Sequence, residues 1–82
     1  MNVQKKDGSL QEFDSEKIVN GLLNAGLSDE EAEDLASEVE DFFIESAKET
    51  IGWQEIKTKV LELLKEVNPD AAQTFENYQK VN

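Results

Sequence analysis

The sequence predicts a small α+β domain: an N-terminal β-hairpin, a candidate short third strand, and about four helices covering them. Three observations predict it. Asp7-Gly8 sits between two short, partly apolar segments, the signature of a hairpin turn. Beyond residue 13, apolar residues recur at helical spacing in runs that open on good capping residues. One of these runs is broken at Glu49-Thr50-Ile51-Gly52, where a strand fits better than a helix.

The hairpin pairs Val3-Gln4-Lys5-Lys6 with Ser9-Leu10-Gln11-Glu12-Phe13. A two-residue type I′ turn at Asp7-Gly8 would set Lys5 opposite Leu10 and Val3 opposite Glu12. Strands this polar need helices packed on them for stability. Helix 1 is expected from the cap Asp14 to about Asn24, with Ile18, Val19, Leu22 and Leu23 inward, and Gly26 ending it in the left-handed cap position. Ser28-Asp29-Glu30-Glu31 is a capping box, with serine at the cap and glutamate three residues on. Helix 2 then runs to about Ala47, its apolar set being Ala32, Leu35, Ala36, Val39, Phe42 and Phe43. Helix 3 spans about Trp53 to Val67, with Ile56, Val60, Leu63, Leu64 and Val67 inward. Asn68-Pro69 ends it and opens helix 4, since asparagine caps well and proline is tolerated at the first helical position. Ala72, Phe75 and Tyr78 are expected to face the core.

Composition narrows the function. The 82 residues make one domain, 1–82, which buries only about 60–65% of its unfolded surface. With neither cysteine nor histidine, disulfides, thiolate metal sites, cysteine nucleophiles and the usual neutral-pH base are excluded. No run approaches the roughly 18 apolar residues of a membrane span, and the N-terminus does not read as a signal peptide. A net charge of −11 repels phosphate backbones, so neither nucleic acid nor membrane is expected as a partner. What remains is a cytoplasmic, acidic binding or interaction module.

Catalysis has little to build on. The carboxylate pairs Glu30/Asp34, Asp34/Glu38 and Asp41/Glu45 lie on the polar face of helix 2, where a solvated surface is the plain reading, and no EF-hand spacing supports a metal. The lysines say more. Lys5, Lys6 and Lys17 crowd the first seventeen residues, while Ser28 to Ala47 contains none. Three ammonium groups near a helix N-terminus can form an anion site. The same residues can instead blunt an edge strand and pair with nearby acids. Trp53, the single tryptophan, can stack on a base or serve as a core residue at the helix start.

The order of these residues resembles the ATP-cone domain. Val3-x-Lys5-Lys6-Asp7-Gly8, then Phe13-Asp14-x-x-Lys17-Ile18, is similar to that family's V-x-K-R-D-G and F-(D/N)-x-x-K-I. Ile51-Gly52-Trp53-Gln54-Glu55-Ile56 and Phe75-Glu76-Asn77-Tyr78 extend the similarity over roughly residues 3–80. The resemblance implies a regulatory nucleotide-binding domain of the kind found in ribonucleotide reductases and the repressor of their genes. It would sense ATP against dATP, here stand-alone and without catalysis. The nucleotide, with or without Mg²⁺, would be the ligand, and no cofactor is expected. The signal would pass to a partner protein or through self-association. Carried over, Lys5, Lys6 and Lys17 would meet phosphates, Gln11 and Asp14 would reach the sugar or base region, and Lys57 would line the pocket.

Three positions depart from the family pattern. Lys6 stands where the family usually has a bidentate arginine and offers a point charge instead, Gln11 stands where an acid is common, and Trp53 stands near the family's small hydroxyl residue. The indole would either stack on the adenine or plug the pocket. In the second case the chain would be a degenerate cone acting as a protein-interaction module.

Overall fold

The computed structural model describes the backbone of residues 1–81 and the side chains of residues 1–77. Its elements are β1 (Asn2–Gln4), β2 (Leu10–Glu12), α1 (Ser15–Asn24), α2 (Asp29–Glu45), β3 (Thr50–Gly52), α3 (Trp53–Val67) and α4 (Pro69–Val81). The three strands form one sheet in the order β2-β1-β3, so the expected third strand is present. β1 is central, antiparallel to β2 and parallel to β3.

The hairpin is where the structure departs most from expectation. Val3 pairs with Gln11 and Gln4 with Leu10, one residue out of the predicted register. The cause is the turn. The Gly8 amide donates to the Lys5 carbonyl (3.0 Å) and the Lys5 amide to the Ser9 carbonyl (2.8 Å), closing a three-residue loop. Gly8 alone in it has positive φ (+87°). This is a type I turn followed by a left-handed glycine, which adds one residue over the type I′ turn. Asp7 supports it by accepting from the Ser9 amide (2.9 Å) and hydroxyl (2.6 Å). Because side chains alternate along a strand, a one-residue slip changes which faces meet. Here it puts Val3 and Gln11 on one face, with Ile51 of β3 beside Val3.

The helix signals act as read. Asp14 caps α1 by accepting from the Glu16 amide (3.0 Å). At its other end Gly26 (φ +106°) lets the Leu27 amide reach the Leu22 carbonyl (3.1 Å) and its own amide reach Leu23 (3.0 Å). That is the Schellman closure. Ser28 and Glu31 exchange both capping-box bonds, and Asn68 caps α4 through the Ala71 amide (3.1 Å).

One apolar cluster joins the layers, with Leu22, Val39, Ile51, Val60 and Leu64 fully buried. Each such side chain stabilises the fold by about 1.5–3 kcal/mol relative to leaving it in water. Two expected core residues are exposed instead. Phe42 is 46% exposed, because Phe42 and Phe43 stand about 100° apart on the helix and only Phe43 points inward. The two rings meet edge-on at 5.1 Å, and the Lys59 ammonium lies 4.2 Å from the Phe42 centroid. Val67 is 56% exposed, being the last residue of α3, where the chain turns at Asn68 into α4. α2 also ends at Glu45 rather than near Ala47, which takes a left-handed φ of +58°. Tyr78 lies outside the described side chains.

Gly26 gives a direct test of the α1 closure. Gly26→Ala would hold a Cβ at φ +106° and is expected to destabilise the protein by about 1–3 kcal/mol in urea unfolding. Unchanged stability would mean that the Schellman turn is not formed.

Candidate functional site

A cavity of about 390 Å³ opens between the hairpin and the helices. Its wall draws on β1 and β2, the N-terminal turns of α1 and α3, and one aromatic side chain of α4. α2 contributes none of its lining. The hairpin supplies Val3, Gln11 and Glu12 from its strands and Lys5 just past β1, and Phe13 and Asp14 continue the wall into α1. Lys17 projects from the first turn of α1, while Trp53, Ile56 and Lys57 come from the start of α3.

Six of the seven residues singled out in the sequence thus border one cavity: Lys5, Gln11, Asp14, Lys17, Trp53 and Lys57. The seventh, Lys6, is not part of the wall. Its ammonium sits 4.9 Å from the centroid of the Trp53 ring. Register explains the pairing: Gly52 lies opposite Gln4, so Trp53 begins α3 beside the Lys5-Lys6 end of β1.

Sequence reasoning missed the apolar part of the cavity. Val3, Phe13, Ile18, Ile56, Val60 and Phe75 line it. Helical periodicity marks Ile18, Ile56, Val60 and Phe75 as inward side chains without saying whether each meets another side chain or a void. Gly21 was missed entirely. A Cβ there would come within 3.2 Å of the Phe75 ring edge. A glycine inside a predicted helix was the available signal.

The electrostatics are local. The wall carries Lys5, Lys17 and Lys57 against Glu12 and Asp14, in a chain whose net charge is −11. None of these three lysines makes an ion pair among the described residues; the ion pairs there are Lys48–Glu55 (2.7 Å) and Lys59–Glu62 (3.7 Å). Asp14 already spends one carboxylate oxygen on the α1 cap.

Two acids beside the site are held more acidic than usual. Asp7 is lowered chiefly by the Ser9 hydroxyl, then by the Ser9 amide, with Lys5 adding attraction. Glu55 is lowered first by Lys48 and then by the Gly52 amide (2.9 Å), which ties the start of α3 to β3.

A three-stranded sheet under four helices, with a lysine-bearing cavity between hairpin and helices, defines a small α+β domain able to receive an anionic ligand. Residues 1–81 match the ATP cone domain, and the chain belongs to that family. Among curated proteins it is 40% identical over 67 residues to the transcriptional repressor NrdR of Kosmotoga olearia, covering 77% of this chain and 42% of that one. It is 36% identical over 70 residues to NrdR of Caldicellulosiruptor bescii (80% and 46%) and 31% over 71 residues to that of Persephonella marina (82% and 47%). The chain therefore spans less than half the length of these relatives. Their name is that of a transcription regulator, so the expectation against a nucleic-acid partner draws no support from them. No described helix is long and apolar enough to cross a membrane.

Two outcomes test this geometry. Gly21→Ala should stay within about 1 kcal/mol of the parent in urea unfolding, the helix-propensity gain offsetting the tight contact with Phe75. Gly21→Val should cost about 1–3 kcal/mol. Equal stabilities would mean that α1 and Phe75 are not in contact. For Asp7, the folded-state pKa is depressed, so its support of the turn is present at neutral pH and lost as pH falls through that pKa. The Ser9 amide resonance should titrate with a midpoint below the ordinary 3.8, and a midpoint at or above 3.8 would remove the hydrogen bonds.

Proposed function

We propose that the cavity binds a nucleoside triphosphate, ATP or dATP, and that the chain is the sensing part of a regulator, without turnover of its own. The observation that carries this is the convergence of Lys5, Lys17 and Lys57, from three separate elements, on one cavity in a strongly acidic chain. A volume of about 390 Å³ suits a small ligand, since such sites run from about 300 to 1,000 Å³. The three lysines receive the phosphates, with Mg²⁺ arriving on the triphosphate. Gln11 and Asp14 meet the sugar or base, and Trp53 offers a stacking surface.

Regulation follows from linkage. The nucleotide shifts a partner equilibrium only by the difference in its affinity for two states, typically about 1–3 kcal/mol. A chain this small puts the second site on whatever it is joined to or binds, either a partner protein or a second copy. The named relatives are transcriptional repressors, and we propose the same use here, in the cytoplasm, with occupancy of the cavity read by the rest of such a regulator.

Titration with ATP, dATP and ADP, each with Mg²⁺, tests the reading through amide shifts and Trp53 fluorescence. Shifts should cluster at residues 5–17 and 53–57. Lys17→Gln and Lys57→Gln should each weaken ATP binding by about ten- to a hundredfold, the loss of one charged hydrogen bond at about 1.5–3 kcal/mol. No shifts at millimolar nucleotide would overturn the proposal and leave a cone that serves as a protein-interaction module.

A further inference from the structure

Trp53 borders the cavity, and the Lys6 ammonium lies over its ring. The indole borders the cavity, yet Lys6 does not, so the ammonium covers the ring from outside the wall. At 4.9 Å from the centroid the contact lies within cation–π range. Lys6 is well placed to make it, standing at the first position of the three-residue loop whose ends are fixed by the Lys5–Ser9 and Gly8–Lys5 bonds. Trp53 is equally fixed in backbone, since the Glu55 carboxylate clasps the Gly52 amide just before it (2.9 Å) and is itself paired with Lys48 (2.7 Å). What neither clasp fixes is the side chain. A half-buried indole beside an apolar cavity gains by rotating into it, and that rotation would sacrifice the contact with Lys6.

We infer that Lys6 is a positioning residue: by holding the Trp53 indole on the wall, it keeps the cavity open for the ligand and does not itself bind phosphate. The ligand half of this inference rests on the nucleotide reading above; the half concerning Trp53 does not.

Lys6→Gln, Lys6→Arg, Trp53→Leu and the Lys6→Gln/Trp53→Leu pair are made in the full chain. In the ligand-free protein, Trp53 is the sole indole fluorophore. Its emission should move to shorter wavelength and its quenching by acrylamide should fall in K6Q, as the ring enters the cavity. K6R should match the parent, because guanidinium also stacks on indole. With ATP–Mg²⁺ as the probe in calorimetry, K6Q should lose about two- to fivefold in affinity, the scale of one exposed cation–π contact. Its salt dependence should stay that of the parent, whereas K57Q should show a weaker one. In the W53L background K6Q should change nothing.

Unchanged or red-shifted emission in K6Q would overturn the inference. So would a weakened salt dependence like that of K57Q, or an equal loss in the W53L background, since either would make Lys6 a phosphate ligand. If the parent chain binds no nucleotide, the proposed function fails, and the emission of ligand-free K6Q alone decides the role of Lys6.

Discussion

The site hangs on β1, a strand of three residues. Both other strands pair with it, β2 antiparallel and β3 in parallel, and they bring Gln11, Glu12 and Trp53 to the cavity. Its pairing with β3 carries Trp53 to the Lys5-Lys6 end of the hairpin. Its pairing with β2 puts Gln11 beside Val3, on the face that looks into the cavity. Side chains alternate with period two, so a register shifted by one residue would pair Val3 with Glu12 and leave Gln11 beside Gln4. The single left-handed glycine at position 8, braced by Asp7 and Ser9, therefore goes with the register that sets Gln11 beside Val3 at the cavity.

Charge is distributed with the same economy. A chain of −11 repels an anionic ligand at long range, but screening confines that repulsion to about 8 Å at physiological ionic strength. Inside that distance the three wall lysines outnumber the two wall carboxylates, and the acid-rich α2 lines none of the cavity. The approach of the ligand is thus governed by the cavity mouth rather than by the whole surface.

Much of the fold was legible because helix ends are written in local chemistry. Asp14, Ser28, Gly26 and Asn68-Pro69 each act where their side chains or backbone freedom dictate, independently of tertiary contacts. The turn was not legible in the same way. Asp7-Gly8 serves both the two-residue loop and the longer one, and the difference lies in backbone hydrogen bonds of Lys5, Gly8 and Ser9 that residue type alone does not select. Phe42 and Phe43 illustrate the limit of periodicity, since neighbouring residues at the margin of an apolar stripe compete for one inward direction. The lysines on the wall were recognised by residue type and order. The apolar lining escaped notice because Ile56 and Phe75 carry the same pattern whether they pack on a neighbour or border a void. Trp53 was undecidable from sequence, because its ring meets Lys6 across two elements.

The distribution of burial suits a sensor. Leu22, Val39, Ile51 and Leu64 are fully enclosed, whereas Val3, Phe13, Ile18 and Ile56, on the cavity wall, are only half-buried. A domain of this length holds a net stability of about 4–12 kcal/mol, so its cavity side has little to spare. A ligand at a hundred times its dissociation constant adds about 2.7 kcal/mol to the form that binds it, a large share of that total. Occupancy would then tighten the hairpin against the starts of α1 and α3. A partner equilibrium at those elements would shift only by the part of that free energy that differs between their two states. A larger, better-filled domain would gain the same ligand energy and change less, which is a physical reason for a regulatory module to be small and to keep an open cavity where its core is thinnest.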